Sequence, residues 1–138
     1  MKISTNSRYA LRFLARVAQR GGERTTTAYI ADLEGISEKL LERIAAKLAA
    51  EGFVQSVKGA RGGYVLSRPA ENITVSEILK TMERPYLPHH CIEDPENCCK
   101  MYEGCGLLCL WQQIDAAIMS VTDNVTVADL AQKRTSCL

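Results

Sequence analysis

Residues 25–66 read TTTAYIADLEGISEKLLERIAAKLAAEGFVQSVKGARGGYVL, and their pattern decides the fold. Thr25, Thr26 and Thr27 supply capping hydroxyls for a short helix carrying Ile30, Ala31 and Leu33, and Gly35 permits the sharp turn that ends it. Ser37 is a good N-cap for a second helix, in which Leu41, Ile44, Ala45 and Leu48 recur along one face. Glu38, Lys39, Glu42, Arg43 and Lys47 fall on the opposite face, and Gly52 stops the helix. Two such helices around a glycine turn read as a helix-turn-helix. Phe53–Val57 and Tyr64–Leu66 then read as strands around Lys58-Gly59-Ala60-Arg61-Gly62-Gly63. Three glycines in six residues allow a tight loop that can press against another surface, and Lys58 and Arg61 place positive charge at its tip.

A helix-turn-helix followed by a basic hairpin is a winged helix, and the combination favours double-stranded DNA as the partner. Upstream, Ala10, Phe13, Leu14, Val17 and Ala18 form the buried stripe of a first helix closed by Gly21-Gly22. Arg8, Arg12, Arg16 and Arg20 form a basic ridge on that helix, either a solvated face or a surface for phosphates or a partner. Downstream, Pro69 marks a junction. Thr74 and Glu77 make a capping box for a fourth helix reaching Glu83, with Val75, Ile78, Leu79 and Met82 facing the core. Beyond Cys105, Leu107, Trp111, Ile114, Ile118 and Val121 alternate spacings of four and three, the seam of a coiled coil. Such a seam needs a partner, and a two-fold homodimer is the usual solution. Thr126 and Asp129 cap a last short helix. The expected architecture is mainly α with a small β-hairpin. Residues 1–69 form a winged helix-turn-helix DNA-binding domain. Residues 70–105 form a connecting helix and cysteine-rich loop, and 106–138 a long dimerisation helix and a short C-terminal helix.

The 138 residues suit one domain of ordinary size, and 46% hydrophobic with 24% charged residues is a globular composition. No apolar run approaches the roughly 18 residues of a membrane span. Met1-Lys2-Ile3-Ser4 leads straight into an arginine-bearing helix with no apolar signal core, so a cytoplasmic protein is expected. The net charge of +1 divides into +6 over residues 1–69 and −5 over residues 70–138, a basic module for a polyanion joined to something else. There is no phosphate-binding loop, nucleophile elbow or spaced acid/base pair. His89 and His90 beside Cys91 adjoin a proline and read as loop residues rather than a catalytic Cys–His pair. The chain is therefore not read as an enzyme.

Five of the six cysteines, Cys91, Cys98, Cys99, Cys105 and Cys109, fall within residues 91–109, and Cys137 lies in the tail. Thiols that were merely small core residues would be spread along the helices. In a reducing compartment a dense cluster points to metal or redox chemistry rather than structural disulfides. Seven residues separate Cys91 from Cys99, and five separate Cys99 from Cys105, which is not the paired C-x-x-C of zinc ribbons. Zinc, an iron–sulfur cluster and a metal-free thiol switch all remain open, with metal favoured over the switch.

Taken together, several motifs resemble the Rrf2 family of bacterial winged-helix regulators, with its IscR, NsrR and RirA branches. They are Ser7-Arg8-Tyr9-Ala10-Leu11-Arg12, Ile30-Ala31, Gly35-Ile36-Ser37, the wing Val57 to Leu66, Ile73-Thr74-Val75, the three spaced cysteines, Trp111 and Val125 to Leu130. They span nearly the whole chain in order. The resemblance implies that Ser37, Lys39, Leu40 and Arg43 meet the major groove of a pseudo-palindromic operator, with Lys58 and Arg61 at the minor groove. It implies dimerisation through Leu107, Trp111, Ile114, Ile118 and Val121. It also places Cys91, Cys99 and Cys105 at cluster-ligand positions, with 4Fe–4S favoured over 2Fe–2S. The chain departs from the IscR pattern at Leu108, where a histidine is usual, and from the NsrR pattern at Arg8, where an aspartate can ligate. The fourth ligand is thus open among Cys109, Cys98 and His90, with Glu103, water or a small thiol as further candidates. The alternative is a thiol-switch or zinc-stabilised regulator acting with a protein partner, as a cysteine-metabolism repressor does.

Overall fold

The first helix, α1 (Thr5–Gln19), begins where the Ser4 hydroxyl accepts the Ser7 N–H, and its apolar stripe becomes the middle of the core. Ala10, Phe13, Leu14 and Val17 are buried along it. Full burial of a side chain such as Phe13 or Leu14 stabilises the fold by about 1.5–3 kcal/mol. The computed structural model describes residues 3–83, 91, 92, 94, 97, 100 and 102–133.

Next come α2 (Thr27–Glu34) and α3 (Glu38–Ala50). Of the three threonines at the start of α2, Thr26 alone caps it, accepting from the Tyr29 N–H, while Thr27 is the first helical residue and Thr25 is buried and serves the wing. Gly35 takes the left-handed conformation at φ 62°, so the turn forms without a Cβ penalty. Leu41, Ile44, Ala45 and Leu48 turn the inner face of α3 onto α1. The hairpin is β1 (Val54–Val57) against β2 (Gly63–Leu66), antiparallel, with Val54 opposite Leu66 and Val57 opposite Gly63.

A 3-10 turn (Ala70–Asn72) leads into α4 (Val75–Met82), followed by α5 (Gly106–Thr122) and α6 (Val127–Gln132). The last helix returns to the body. Val127 is fully buried, and the Gln19 side-chain amide donates to the Ala131 carbonyl at 2.8 Å. Val75 N–H donates to Val125 and Val127 N–H to Ile73, so a short two-way bridge joins the starts of α4 and α6. One core therefore runs from Ala10 to Val127. Among the described residues no helix is long and apolar enough to cross a membrane.

Both capping boxes expected from sequence are present, Thr74 with Glu77 and Thr126 with Asp129. Glu77 also pairs with Arg68 at 2.9 Å, and Arg68 lies over the Phe53 ring. Partial burial raises the Glu77 pKa, but the Thr74 N–H, Arg68 and the Thr74 hydroxyl outweigh it and hold the carboxyl below its usual 4.5. The stability Glu77 adds is therefore present above pH 4.5 and lost as pH falls through the lower folded-state value. Glu77→Ala is expected to cost about 1 kcal/mol at neutral pH in denaturant melts, with the cost shrinking as the pH falls below 4.5. A cost that stays constant into acid would contradict this account.

Candidate nucleic-acid interface and cysteine segment

Ser37 occupies the N-cap position of α3, but its exposed hydroxyl makes no capping bond. The sequence gives Ser37 the role of a cap, whereas the folded chain leaves its hydroxyl available to a phosphate. Lys39 and Arg43 are exposed on the outer face of α3 and form no ion pair among the described residues. Leu40 is half-buried and packs against the core, leaving only part of its side chain outward.

The hairpin loop is tight. Gly62 N–H donates to the Gly59 carbonyl at 2.9 Å, and Gly59 takes φ 114°, a region side chains avoid. Lys58 and Arg61 are exposed on this loop and also unpaired with any carboxylate among the described residues. Its base is anchored to the segment before α2. Thr25 and Tyr64 exchange backbone hydrogen bonds at 3.1 and 2.8 Å, so Thr25 adds a one-residue third strand. A Cβ on Gly63 would lie 2.6 Å from the Thr25 carbonyl oxygen, and only glycine lets the two backbones approach this closely. The Tyr64 ring meets Phe13 edge-on, with centroids 5.6 Å apart. Helix α1 thus seats the wing.

The arginine ridge divides. Arg12 reaches Glu34 at 3.4 Å and Arg16 also binds Glu34, whose side chain is 11% exposed. These arginines hold α2 against α1. Arg20 pairs with Glu23 at 2.7 Å, and Arg8 lies over the Tyr9 ring.

The cysteine segment joins α4 to α5. Cys91 and Cys105 are half-buried, Cys109 is exposed one turn into α5, and none of the three is in a disulfide. Cys105 is the N-cap residue of α5, and its carbonyl accepts the Leu108 N–H at 3.1 Å. Cys98, Cys99, Cys137, His89 and His90 lie outside the described residues, and among the described residues no three His, Cys, Asp or Glu side chains gather around a metal position. Thiols at the two ends of the segment are nevertheless the donor type that zinc and iron–sulfur clusters take.

Where α4 ends, the Glu83 carboxylate accepts the Ser4 backbone N–H at 2.7 Å. Ser4 is the N-cap residue of α1, so the residue at the head of the cysteine segment is tied to the helix that seats the wing. No short-range pattern announces this bond, which joins residues 79 positions apart.

Helix α5 has no fully buried residue. Leu107, Leu110 and Val121 are 60%, 46% and 64% exposed, while Trp111, Ile114 and Ile118 are half-buried. Leu110 lies off the four-three spacing and was not anticipated as part of this apolar surface.

The family model for Rrf2, described as an iron-dependent transcriptional regulator, matches residues 3–133. The chain belongs to the Rrf2 family. It is similar to the transcriptional regulator CymR of Bacillus subtilis, 36% identical over 132 residues, covering 95% of this chain and 90% of that one. The solved structure of the same protein, the global cysteine regulator of that organism, superposes with a TM-score of 0.75 over 99% of both chains, at 34% identity. T. potens IscR superposes with a TM-score of 0.78 over 98% of this chain and 89% of that one, at 28% identity. The regulator NsrR of Bacillus subtilis is 28% identical over 135 residues, covering 97% of this chain and 92% of that one. These relatives establish the winged-helix fold and a DNA-binding transcriptional regulator rather than an enzyme.

Proposed function

We propose that this Rrf2-family regulator acts in the cytoplasm as a homodimeric repressor whose operator affinity depends on an iron–sulfur cluster held by Cys91, Cys99 and Cys105. Cys109, Cys98 and His90 are the candidates for a fourth ligand, and 4Fe–4S is favoured over 2Fe–2S. The family description as iron-dependent and the likeness to IscR support the cofactor. A bound cluster would supply a centre sensitive to iron supply, oxygen, nitric oxide or redox state.

The observation that carries this reading is the placement of the cysteine segment. It leaves α4 just after Glu83, which binds the N-cap of α1, and it enters α5 at Cys105. Cys91 and Cys105, acting as ligands together, would fix the run of chain between these helices. Residues 70–105 then serve as the sensor, between the DNA-reading part, 1–69, and the dimerising part, 106–138. Leu107, Trp111, Ile114, Ile118 and Val121 pair the two copies. Ser37, Lys39, Leu40 and Arg43 of each copy meet successive major grooves, while Lys58 and Arg61 flank the minor groove. Half-sites about 34–36 Å apart tolerate little error in the spacing of the two α3 helices.

The test is operator retardation with protein prepared without oxygen, before and after the cofactor is stripped. Specific affinity is expected to fall at least tenfold on stripping, with random-duplex binding unchanged. Equal operator affinity in both states contradicts the reading. Glu83→Gln weakens a charge-assisted bond to the Ser4 N–H, so it is expected to shrink the difference between the two states without lowering iron content.

The likeness to CymR and the exposed Cys109, one turn from Cys105, favour a second reading. In it the thiols act without iron, or with zinc, and a protein partner completes the regulator. A stable complex with a cysteine-synthesis enzyme in pull-downs would support it.

A further inference from the structure

The outer face of α2 carries an exposed apolar pair that the helical core pattern does not explain. Ile30 and Ala31 are buried, whereas Tyr29 and Leu33, four residues apart, are each 47% exposed. The guanidinium of Arg20, the last residue of the basic ridge, lies 5.7 Å from the Tyr29 ring centre. Arg24 stands close by in the chain, on the segment that leads through Thr25 to the wing. The surface is thus aromatic and basic, and it belongs to the basic half of the chain. In helix-turn-helix proteins the first helix of the pair crosses the DNA backbone while the second enters the groove.

We infer that Arg20 and Tyr29 form a phosphate clamp that positions α2 on the DNA backbone. This inference rests on the DNA-binding reading and extends it to a surface outside α3 and the wing. Stacking on the Tyr29 ring limits where the flexible Arg20 side chain can go, so its charge is held ready at modest entropic cost. The phenol hydroxyl is a second donor to the same or the next phosphate. Glu23 competes for Arg20 at 2.7 Å, but its side chain is 73% exposed and solvent screens the pair. A phosphate can therefore displace the Glu23 carboxylate. The clamp reads no base, and its contribution is the same on any sequence.

The experiment measures binding of the full-length protein to an operator duplex and to a random duplex across a salt series. The variants are Arg20→Gln, Tyr29→Phe and Glu23→Gln, with Arg43→Ala as the control for base reading. Arg20→Gln is expected to lower affinity for both duplexes three- to tenfold and to flatten the salt slope by about one unit. Tyr29→Phe, which keeps the ring and loses the hydroxyl, is expected to lower both affinities two- to fivefold with the slope unchanged. Glu23→Gln, which removes the competing carboxylate, is expected to raise both.

Wild-type affinity in Arg20→Gln and Tyr29→Phe would overturn the clamp. So would a loss confined to the operator, or a loss in Arg20→Gln with an unchanged salt slope, which would make the pair a structural staple between α1 and α2. If the wild-type protein binds neither duplex, the DNA-binding reading itself fails. If it binds and only the clamp variants are silent, the clamp alone fails.

Discussion

Replacing Cys91, Cys99 and Cys105 by serine is expected to remove iron and sulfide from the protein and to abolish the response of operator binding to the cofactor. The change is expected to leave the fold intact. Among the described residues, every member of the buried core lies outside the cysteine segment, from Ala10 to Ile78 on one side and at Val127 on the other. The thermal midpoint of the cofactor-free protein should therefore move little. Serine keeps the size of the thiol but is a poor ligand for iron, so the substitution isolates ligation from packing. Residues that ligate one centre act as a unit, so each single variant is expected to do nearly as much damage as the triple variant. The loss at the operator is expected to be about tenfold or more, equivalent to about 1.4 kcal/mol. Cys109→Ser separates the two roles open to that residue. It lowers iron content if Cys109 is the fourth ligand and leaves iron unchanged if Cys109 belongs only to the exposed face of α5. Wild-type iron content and regulation in the triple variant would contradict the proposal.

Arg43→Ala should have the largest effect on sequence recognition. The side chain is exposed on the outer face of α3 and unpaired among the described residues, so no internal carboxylate must be displaced before it meets a base. A bidentate contact from arginine to guanine carries about 1–3 kcal/mol of discrimination, or about 5- to 150-fold in operator affinity. Random-duplex binding should fall far less. Arg61→Ala provides the contrast, since a wing residue that meets the backbone should weaken both duplexes alike and reduce the salt slope by about one unit. Equal losses for Arg43→Ala on both duplexes would reassign it to the phosphates.

The parts of this chain that were legible in sequence are those set by local chemistry. The left-handed turn at Gly35 needs only a few neighbouring residues, and so do the capping boxes of Thr74 with Glu77 and Thr126 with Asp129. The apolar stripes of α1 and α3 follow from helical period alone. What was not legible joins distant positions. Glu34 claims Arg12 and Arg16, Thr25 pairs with Tyr64, and Ser4 binds Glu83. Each depends on how elements pack, and no spacing encodes it. Ser37 shows a subtler failure. Its residue type fits a cap, but the hydroxyl of the folded chain makes no such bond. At the cysteines the sequence is more explicit than the described fold, because Cys98 and Cys99 lie outside the described residues and the ligand set rests on spacing and resemblance.

The most direct test of the central claim is the visible absorption spectrum, with iron, sulfide and zinc content, of protein purified without oxygen. The account predicts a brown protein with matching iron and sulfide, whose band shape is that of a 4Fe–4S rather than a 2Fe–2S cluster. A colourless protein whose cluster cannot be rebuilt, with one zinc per chain or no metal at all, would contradict it.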